Sequence, residues 1–340
     1  MSRRRPHPLV LLTLVVASLG AAGCTAAGTY DPTPLYTPSP SPSSSSSSAT
    51  PTPGPSGRDI VSTNCLQTFA PPETMPAPGR MPAGSHMRTI QERGKLVAGV
   101  SADSLLLGAR DPVSNDIEGF DIDLLHAISQ AIFGDPDQIT YRVITADERE
   151  GVLQDKLVDI VARNMTINCA RWGNIAFSSE YYRDGQKILV RQGETTDAGG
   201  RAIRGLEDLA GRKVCAPIKT TSLTRLQTFE DVEAVTADSH TGCLVLFQEG
   251  GVDAITGDAT VLAGLASQDP YAVVVQAPAF SAEPFGLGIN RAHVDFVRFV
   301  NGVLEQMRAD GRWARSYNTW FAPSLGKAPA PPEPVYGRAP

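Results

Sequence analysis

Residues 159–182, DIVARNMTINCARWGNIAFSSEYY, open on a short apolar strand, Asp159-Ile160-Val161-Ala162. The chain then turns through Asn164, Thr166 and Asn168, small polar residues that hydrogen-bond locally. A helix-like segment headed by Arg171 follows, and the stretch closes on a second apolar run, Ile175-Ala176-Phe177-Ser178. A strand whose C-terminal end brings a hydroxyl, free backbone amides and a guanidinium together makes a carboxylate site. Open α/β sheets bind ligands beyond the carboxyl ends of their strands, and arginine grips a carboxylate with two parallel hydrogen bonds. Taken alone, the stretch also reads as an ordinary strand–turn–helix with a surface arginine.

The flanking sequence repeats this alternation. Upstream, a short helix over residues 87–93 ends at Gly94, and a strand runs through 95–100. Within 121–133, Ile122, Leu125, Ile128 and Ile132 recur at helical spacing, and Gly134 stops the helix. A strand at 139–144 and a helix at 147–157 lead into the central stretch. Strand, helix, strand, helix, strand implies a mostly parallel sheet covered on both faces. A second round begins near Gly205, after a strand at 187–190 and a loose loop at 194–201. Its strands are expected at 213–216, 232–236, 252–255 and 273–276, with helices from the turn Lys219-Thr220-Thr221-Ser222 to Phe229 and over 242–249. A strand at 285–289 and an amphipathic helix at 294–310, with Phe296, Phe299, Val300, Val303 and Met307 inward, complete the pattern. Two rounds of βα alternation imply an α/β protein of two lobes.

The formal net charge of -6 offers no basic stripe to neutralise phosphates, so nucleic acid is not an expected partner. At the N-terminus, Arg3-Arg4-Arg5 precede an apolar run over 8–20 that is too short to span a membrane, then Ala21-Ala22-Gly23 and Cys24. This resembles a bacterial lipoprotein signal, which implies removal of residues 1–23 and lipidation of Cys24, although Ala21 stands where leucine is usual. An ordinary secretory signal with an incidental Cys24 is the alternative, and both place the body outside the cytoplasm. Residues 24–56 are Pro/Ser-rich and read as a disordered tether. About thirty residues at ~3.3 Å each reach on the order of 100 Å. Residues 57–86 read as a partly ordered extension carrying Cys65, and 323–340 as a proline-rich tail. The string Gly84-Ser85-His86-Met87 looks like a tag scar but is read as natural sequence. In an oxidising compartment Cys65, Cys169, Cys215 and Cys243 favour two disulfides with three possible pairings, of which Cys215–Cys243 with Cys65–Cys169 is preferred. No zinc-binding spacing occurs.

With these residues laid out, the chain resembles the extracellular solute-binding proteins of polar amino-acid ABC transporters, the type 2 periplasmic-binding fold, and in particular the actinobacterial glutamate- and glutamine-binding lipoproteins. The landmarks are Gly119-Phe120-Asp121-Ile122-Asp123-Leu124, Val158-Asp159-Ile160, Met165-Thr166-Ile167 with Arg171, Phe177-Ser178 with Tyr182, Thr220-Thr221-Ser222, Val252-Asp253-Ala254 with Asp258, and Asp310-Gly311-Arg312-Trp313. The resemblance spans roughly 95–320. It implies a first lobe of 87–185 with 285–322, a second lobe of 186–284, two hinge crossings near 183–187 and 284–287, and closure around a ligand in the cleft.

The same resemblance implies site roles. Arg171 matches the arginine for the ligand's α-carboxylate, Thr166 and the Asn164 backbone lie beside it, and Thr221 completes the shell from the second lobe. Asp258 matches the carboxylate for the α-ammonium; after a strand it also reads as a helix cap. Arg149 matches an arginine for a distal carboxylate, or is a solvated helix charge, and Arg110 is a further candidate. Lys219 replaces a usual glycine and either reaches a distal carboxylate or points to solvent. Leu105-Leu106-Leu107 stands where relatives place an aromatic lid. Arginines at both ends favour glutamate or aspartate, with glutamine admitted if the distal contact is a neutral hydrogen bond.

The expected function is capture of such an amino acid for an ABC-transporter permease by a monomer anchored through Cys24, without a cofactor or metal. A sensor domain feeding a membrane signalling protein is the alternative. An enzyme on this fold, such as a dehydratase, needs an acid or base poised for chemistry, and a cation for the ligand's carboxylate with an anion for its ammonium fits binding better.

Overall fold

The computed structural model describes residues 63–339. The signal 1–23, Cys24, the tether 24–56 and residues 57–62 of the extension lie outside the described residues.

Two five-stranded sheets organise the described chain. The first runs Ile139–Val143, Leu96–Val100, Ile160–Ala162, Gly288–Ile289, Ala176–Phe177. The second runs Glu233–Ala237, Lys213–Pro217, Ala254–Asp258, Gln186–Arg191, Ala272–Val274. Each begins with three parallel strands, and its fourth strand lies antiparallel to both neighbours. Hydrophobic alternation fixes which residues are buried but not strand direction, so these antiparallel insertions were not foreseen. In the second sheet Ile188 and Val190 pack on one face while Leu189 packs on the other, the period of two expected of a strand covered on both sides. In the first lobe the helix Val294–Ala309 buries Phe296, Phe299, Val300, Val303 and Met307 against the helix Phe120–Phe133 and the sheet, as its periodicity requires.

The chain passes between the sheets twice, and the passages pair as antiparallel strands Tyr182–Asp184 and Glu283–Phe285. The run expected as one strand at 285–289 is thus divided. Ser178 causes the break: its hydroxyl accepts from Leu287 N at 2.9 Å while its own N–H donates to Leu287 O at 3.0 Å. Glu283–Phe285 is left to the crossing and Gly288–Ile289 to the first sheet.

Disulfides join Cys65 to Cys169 and Cys215 to Cys243, with Cα separations of 5.0 and 5.6 Å. The first ties the extension to the short helix Cys169–Trp172; the second ties the strand Lys213–Pro217 to the helix His240–Gln248. The described part of the extension packs onto the first lobe. Thr68 donates its hydroxyl to Phe177 O at 2.7 Å, Trp172 Nε1 donates to Cys65 O at 2.7 Å, and Asn301 Nδ2 donates to Phe69 O at 2.7 Å. The proline-rich tail returns to the same place. Thr68 N donates to Val335 O at 2.9 Å, and the Arg338 guanidinium lies 3.7 Å above the Trp172 ring. Ser85 caps the helix His86–Arg93 by accepting from Arg88 N at 3.1 Å, so the tag-like string is structural. Among the described residues no helix is long and apolar enough to cross a membrane.

Candidate functional site

The parallel strands of both sheets point their carboxyl ends at one gap between the lobes, the place an open α/β sheet reserves for ligands. Ala146, Arg149, Arg163, Asn164 and Thr166 line it from the first lobe, and Pro217, Thr220, Thr221, Ser222, Ser239, His240 and Asp258 from the second. The lobes are closed: the gap has room for little more than a water molecule. Bonds cross it directly. Asn164 Nδ2 donates to Asp258 Oδ2 at 3.3 Å, the Thr166 and Thr221 hydroxyls are 3.4 Å apart, and Thr241 donates its hydroxyl to Asp103 O at 3.1 Å.

The first-lobe wall is cationic. Arg149 is 3% exposed. Its Nε donates to Ala146 O at 2.7 Å, and Nη1 to Arg163 O at 3.2 Å. Among the described residues no carboxylate lies within ion-pair distance of it. Burial, then Arg171 and Arg163, push its guanidinium well below the usual value. Arg163 is buried too; its Nε donates to Ile144 O at 2.9 Å, and Asp103 approaches at 4.0 Å. Arg171 lies beside the gap rather than on its lining. Its Nη1 donates to Thr166 O at 2.6 Å, Nη2 reaches Lys219 O at 3.5 Å, and Nε faces Glu150 Oε1 at 3.5 Å.

Asn164 owes its position to the Gly-Phe-Asp motif. Its φ of +35° is unusual for a side-chain-bearing residue. Asp121 Oδ2 holds it by accepting from Asn164 N at 2.8 Å, while Asp121 Oδ1 accepts from the Tyr181 hydroxyl at 2.7 Å. Burial raises the Asp121 carboxyl to about 6.

The second-lobe wall carries one acid and one imidazole. Asp258 occupies the N-cap position of the helix Ala259–Gln268, yet its side chain makes no cap bond. Asp184 does that work instead, accepting from Ala259 N at 3.1 Å and Thr260 N at 3.0 Å. Asp258 is thereby free for the gap, where Oδ1 is buried without a partner, as are Asn164 Oδ1 and His240 Nε2. Burial, then Glu283 and Asp184, push the Asp258 carboxyl well above the carboxylate range. Burial, then Arg163, push His240 down to about 4, so it is neutral near pH 7. Gly257 makes room for that ring, because a Cβ there would lie 2.5 Å from His240 Nε2.

Of the residues singled out from the sequence, Arg149, Asn164, Thr166, Thr221 and Asp258 come together around the gap, with Arg171 next to it. Two do not. The Lys219 side chain is exposed and only its carbonyl faces Arg171; its φ of +53° keeps the left-handed turn a glycine would take freely. Arg110 is exposed on the small three-stranded sheet, where its guanidinium donates to Asn115 O at 2.6 Å. Three residues escaped the sequence reading: Arg163, His240 and Glu283. Arg163 carried a signal, being a lone charge at the carboxyl end of an apolar strand. His240 carried none beyond its place behind the cap residue Ser239.

Cations on one lobe and, on the other, a carboxylate with one unpartnered oxygen suit a zwitterion. The family described as bacterial extracellular solute-binding proteins, family 3, matches residues 96–323. The chain is 29% identical over 237 residues to the ABC transporter glutamine-binding protein GlnH of Bacillus subtilis, covering 69% of this chain and 84% of that one. It is 28% identical over 253 residues to the glutamate-binding protein GluB of Corynebacterium glutamicum, covering 71% and 83%. Among solved structures, an ancestral arginine-binding protein bound to glutamine superposes with a TM-score of 0.61 at 29% identity, over 67% of this chain and 98% of that one. These relatives are named as binding proteins rather than enzymes. The hinged two-lobe fold, the polar gap between the lobes and a match over most of the ordered body agree: the chain belongs to the bacterial extracellular solute-binding proteins, family 3.

Proposed function

We propose that this protein captures an acidic amino acid, glutamate or aspartate, between its lobes and delivers it to the permease of an ABC transporter. One observation carries the reading: three buried arginines, Arg149, Arg163 and Arg171, gather on one side of a gap whose other side offers the unpartnered Asp258 Oδ1. An amino acid with two carboxylates and one ammonium matches that charge pattern. Asp258 takes the ammonium, with Asn164 Oδ1 as a second acceptor. Thr166, Thr221 and Arg171 take the α-carboxylate, and Arg149 and Arg163 the distal one, with His240 at their side. Glutamine leaves a buried guanidinium without an anion, which costs more than a neutral hydrogen bond returns. Closure is favoured because the ligand's two charges find partners on opposite lobes.

The lobes proposed are residues 87–185 with 285–322, and 186–284, and the crossing strands Tyr182–Asp184 and Glu283–Phe285 act as the hinge. Lipidation at Cys24 and the tether 24–56 would hold the domain at the membrane. The names of relatives that bind glutamine and glutamate support the amino-acid class. Thermal unfolding in the presence of each of the twenty amino acids tests the reading, because a ligand bound only by the folded state raises Tm. Glutamate and aspartate should give the largest shifts; a largest shift from a cationic or aromatic amino acid would refute it.

A further inference from the structure

The helix Cys169–Trp172 that carries Arg171 is a single turn, too short to hold its shape by its own hydrogen bonds. Its two ends are tied to distant parts of the chain. At one end Cys169 is bonded to Cys65 of the extension. At the other, the Trp172 ring meets Phe177 and Phe69 edge-on, with centroids 5.6 and 6.3 Å away. Arg338 of the tail completes that packing, its guanidinium 3.7 Å from the Trp172 ring centroid. The same guanidinium donates from Nε to Gln67 O at 2.9 Å and from Nη2 to Asn64 O at 3.2 Å, and Arg338 N donates to Thr68 O at 3.1 Å. Arg338 thus fastens tail, extension and Trp172 together, one residue along the chain from the arginine beside the cleft.

We propose that Arg338 is a positioning residue for ligand binding: the tail is a strap that holds the turn and so aims the Arg171 guanidinium at the ligand's α-carboxylate. The inference rests on the reading that Arg171 binds that carboxylate. Arginine suits the task because its planar fork can cover an aromatic ring while its N–H groups reach separate carbonyls. A guanidinium already in place spends none of the ligand's binding energy on ordering. Apparent affinity scales with the fraction of molecules in which the turn is formed, so loosening the strap weakens binding in proportion. The α-carboxylate is common to all amino acids, so the loss is the same factor for each. Tyr336 supplies the control. Its hydroxyl donates to Glu305 Oε1 at 2.8 Å and binds the tail to the helix Val294–Ala309 instead of to Trp172.

The test compares the full chain with Arg338→Ala, Arg338→Gln and Tyr336→Phe at a temperature where all are folded. Calorimetry with glutamate and with aspartate reads affinity, and amide hydrogen exchange over residues 169–175 reads opening of the turn. Both Arg338 variants should lose affinity about fivefold for both ligands and exchange faster over that turn. Tyr336→Phe should lower Tm yet keep wild-type affinity and exchange. Unchanged affinity in both Arg338 variants, or an equal loss in Tyr336→Phe, would overturn the proposal. Should the wild type bind neither acid, the ligand reading fails by itself and exchange decides the strap: a turn as protected in Arg338→Ala as in the wild type would then overturn it.

Discussion

Replacing Arg163 with glutamine separates a charge contact in the cleft from general packing. The residue is 6% exposed, and its Nε is committed to Ile144 O at 2.9 Å. Its anionic neighbour, Asp103, is 4.0 Å away with a side chain 40% exposed. A distal carboxylate at about 4 Å would gain on the order of 4 kcal/mol at an effective dielectric of about 20. Half-exposed Asp103 and the cost of stripping water from the ligand reduce that to the ~1.5–3 kcal/mol of a hydrogen bond to a charged group. Glutamine keeps a neutral hydrogen bond worth about 1 kcal/mol. The difference between the two ligands is then about 0.5–2 kcal/mol, so Arg163→Gln should cut the glutamate-to-glutamine affinity ratio by roughly 2- to 30-fold. Isothermal titration of both proteins with both ligands measures the ratio directly. Arg163→Lys, which keeps the charge, should restore much of it. Equal losses for glutamate and glutamine would refute the reasoning and leave Arg163 as a brace for the Ile144 carbonyl.

Closure, anchoring and pH can each be perturbed separately. A Cβ on Gly264 would lie 2.6 Å from Leu105 O across the closed lobes, so Gly264→Ala should hold the cleft ajar and weaken amino-acid binding several-fold without altering which is preferred; calorimetry with a ligand panel checks this. Replacing Cys65 and Cys169 together by alanine frees a link spanning 104 residues and should cost about 2–4 kcal/mol of stability. It should also loosen the helix that carries Arg171, and denaturant titration beside ligand titration reads both effects. Asp121 has a folded value of about 6 against 3.8. The folded state therefore holds its proton more firmly, and stability falls as pH rises from about 4 to about 6, on the order of 3 kcal/mol in all. Melting curves across that range should show the slope in the wild type and lose it in Asp121→Asn.

The α/β class and the two lobes were legible because apolar residues recur at helical and strand spacing on both sides of residues 159–182. The direction of Gln186–Arg191 and of Gly288–Ile289 was not, since alternation is the same in parallel and antiparallel strands. The tail escaped for a related reason: its prolines carry no donors and show no periodicity, and it is held by Thr68, Trp172 and Glu305 far away in sequence. In the site, residues at strand ends within recognisable motifs, Asn164, Thr166, Thr221 and Asp258, were found where a ligand would be. Arg163 was passed over beside Asn164 because the apolar run hid a charge that turns into the gap. Glu283 was unreadable: nothing local indicates that a glutamate before Pro284 will meet hydroxyls from both lobes. Asp258 shows how the structure separates two readings a sequence allows, since Asp184 performs the capping and leaves Asp258 Oδ1 without a partner.

The most direct measurement is calorimetric titration of the wild-type protein with glutamate, aspartate, glutamine and arginine under one buffer. Three buried guanidiniums gathered opposite a carboxylate with one unpartnered oxygen, Asp258 Oδ1, call for one molecule of glutamate or aspartate per chain, glutamine binding more weakly and arginine not at all. Arginine or glutamine binding as tightly as the acids, or no heat from any of the four, would contradict the charge complementarity assigned to the cleft.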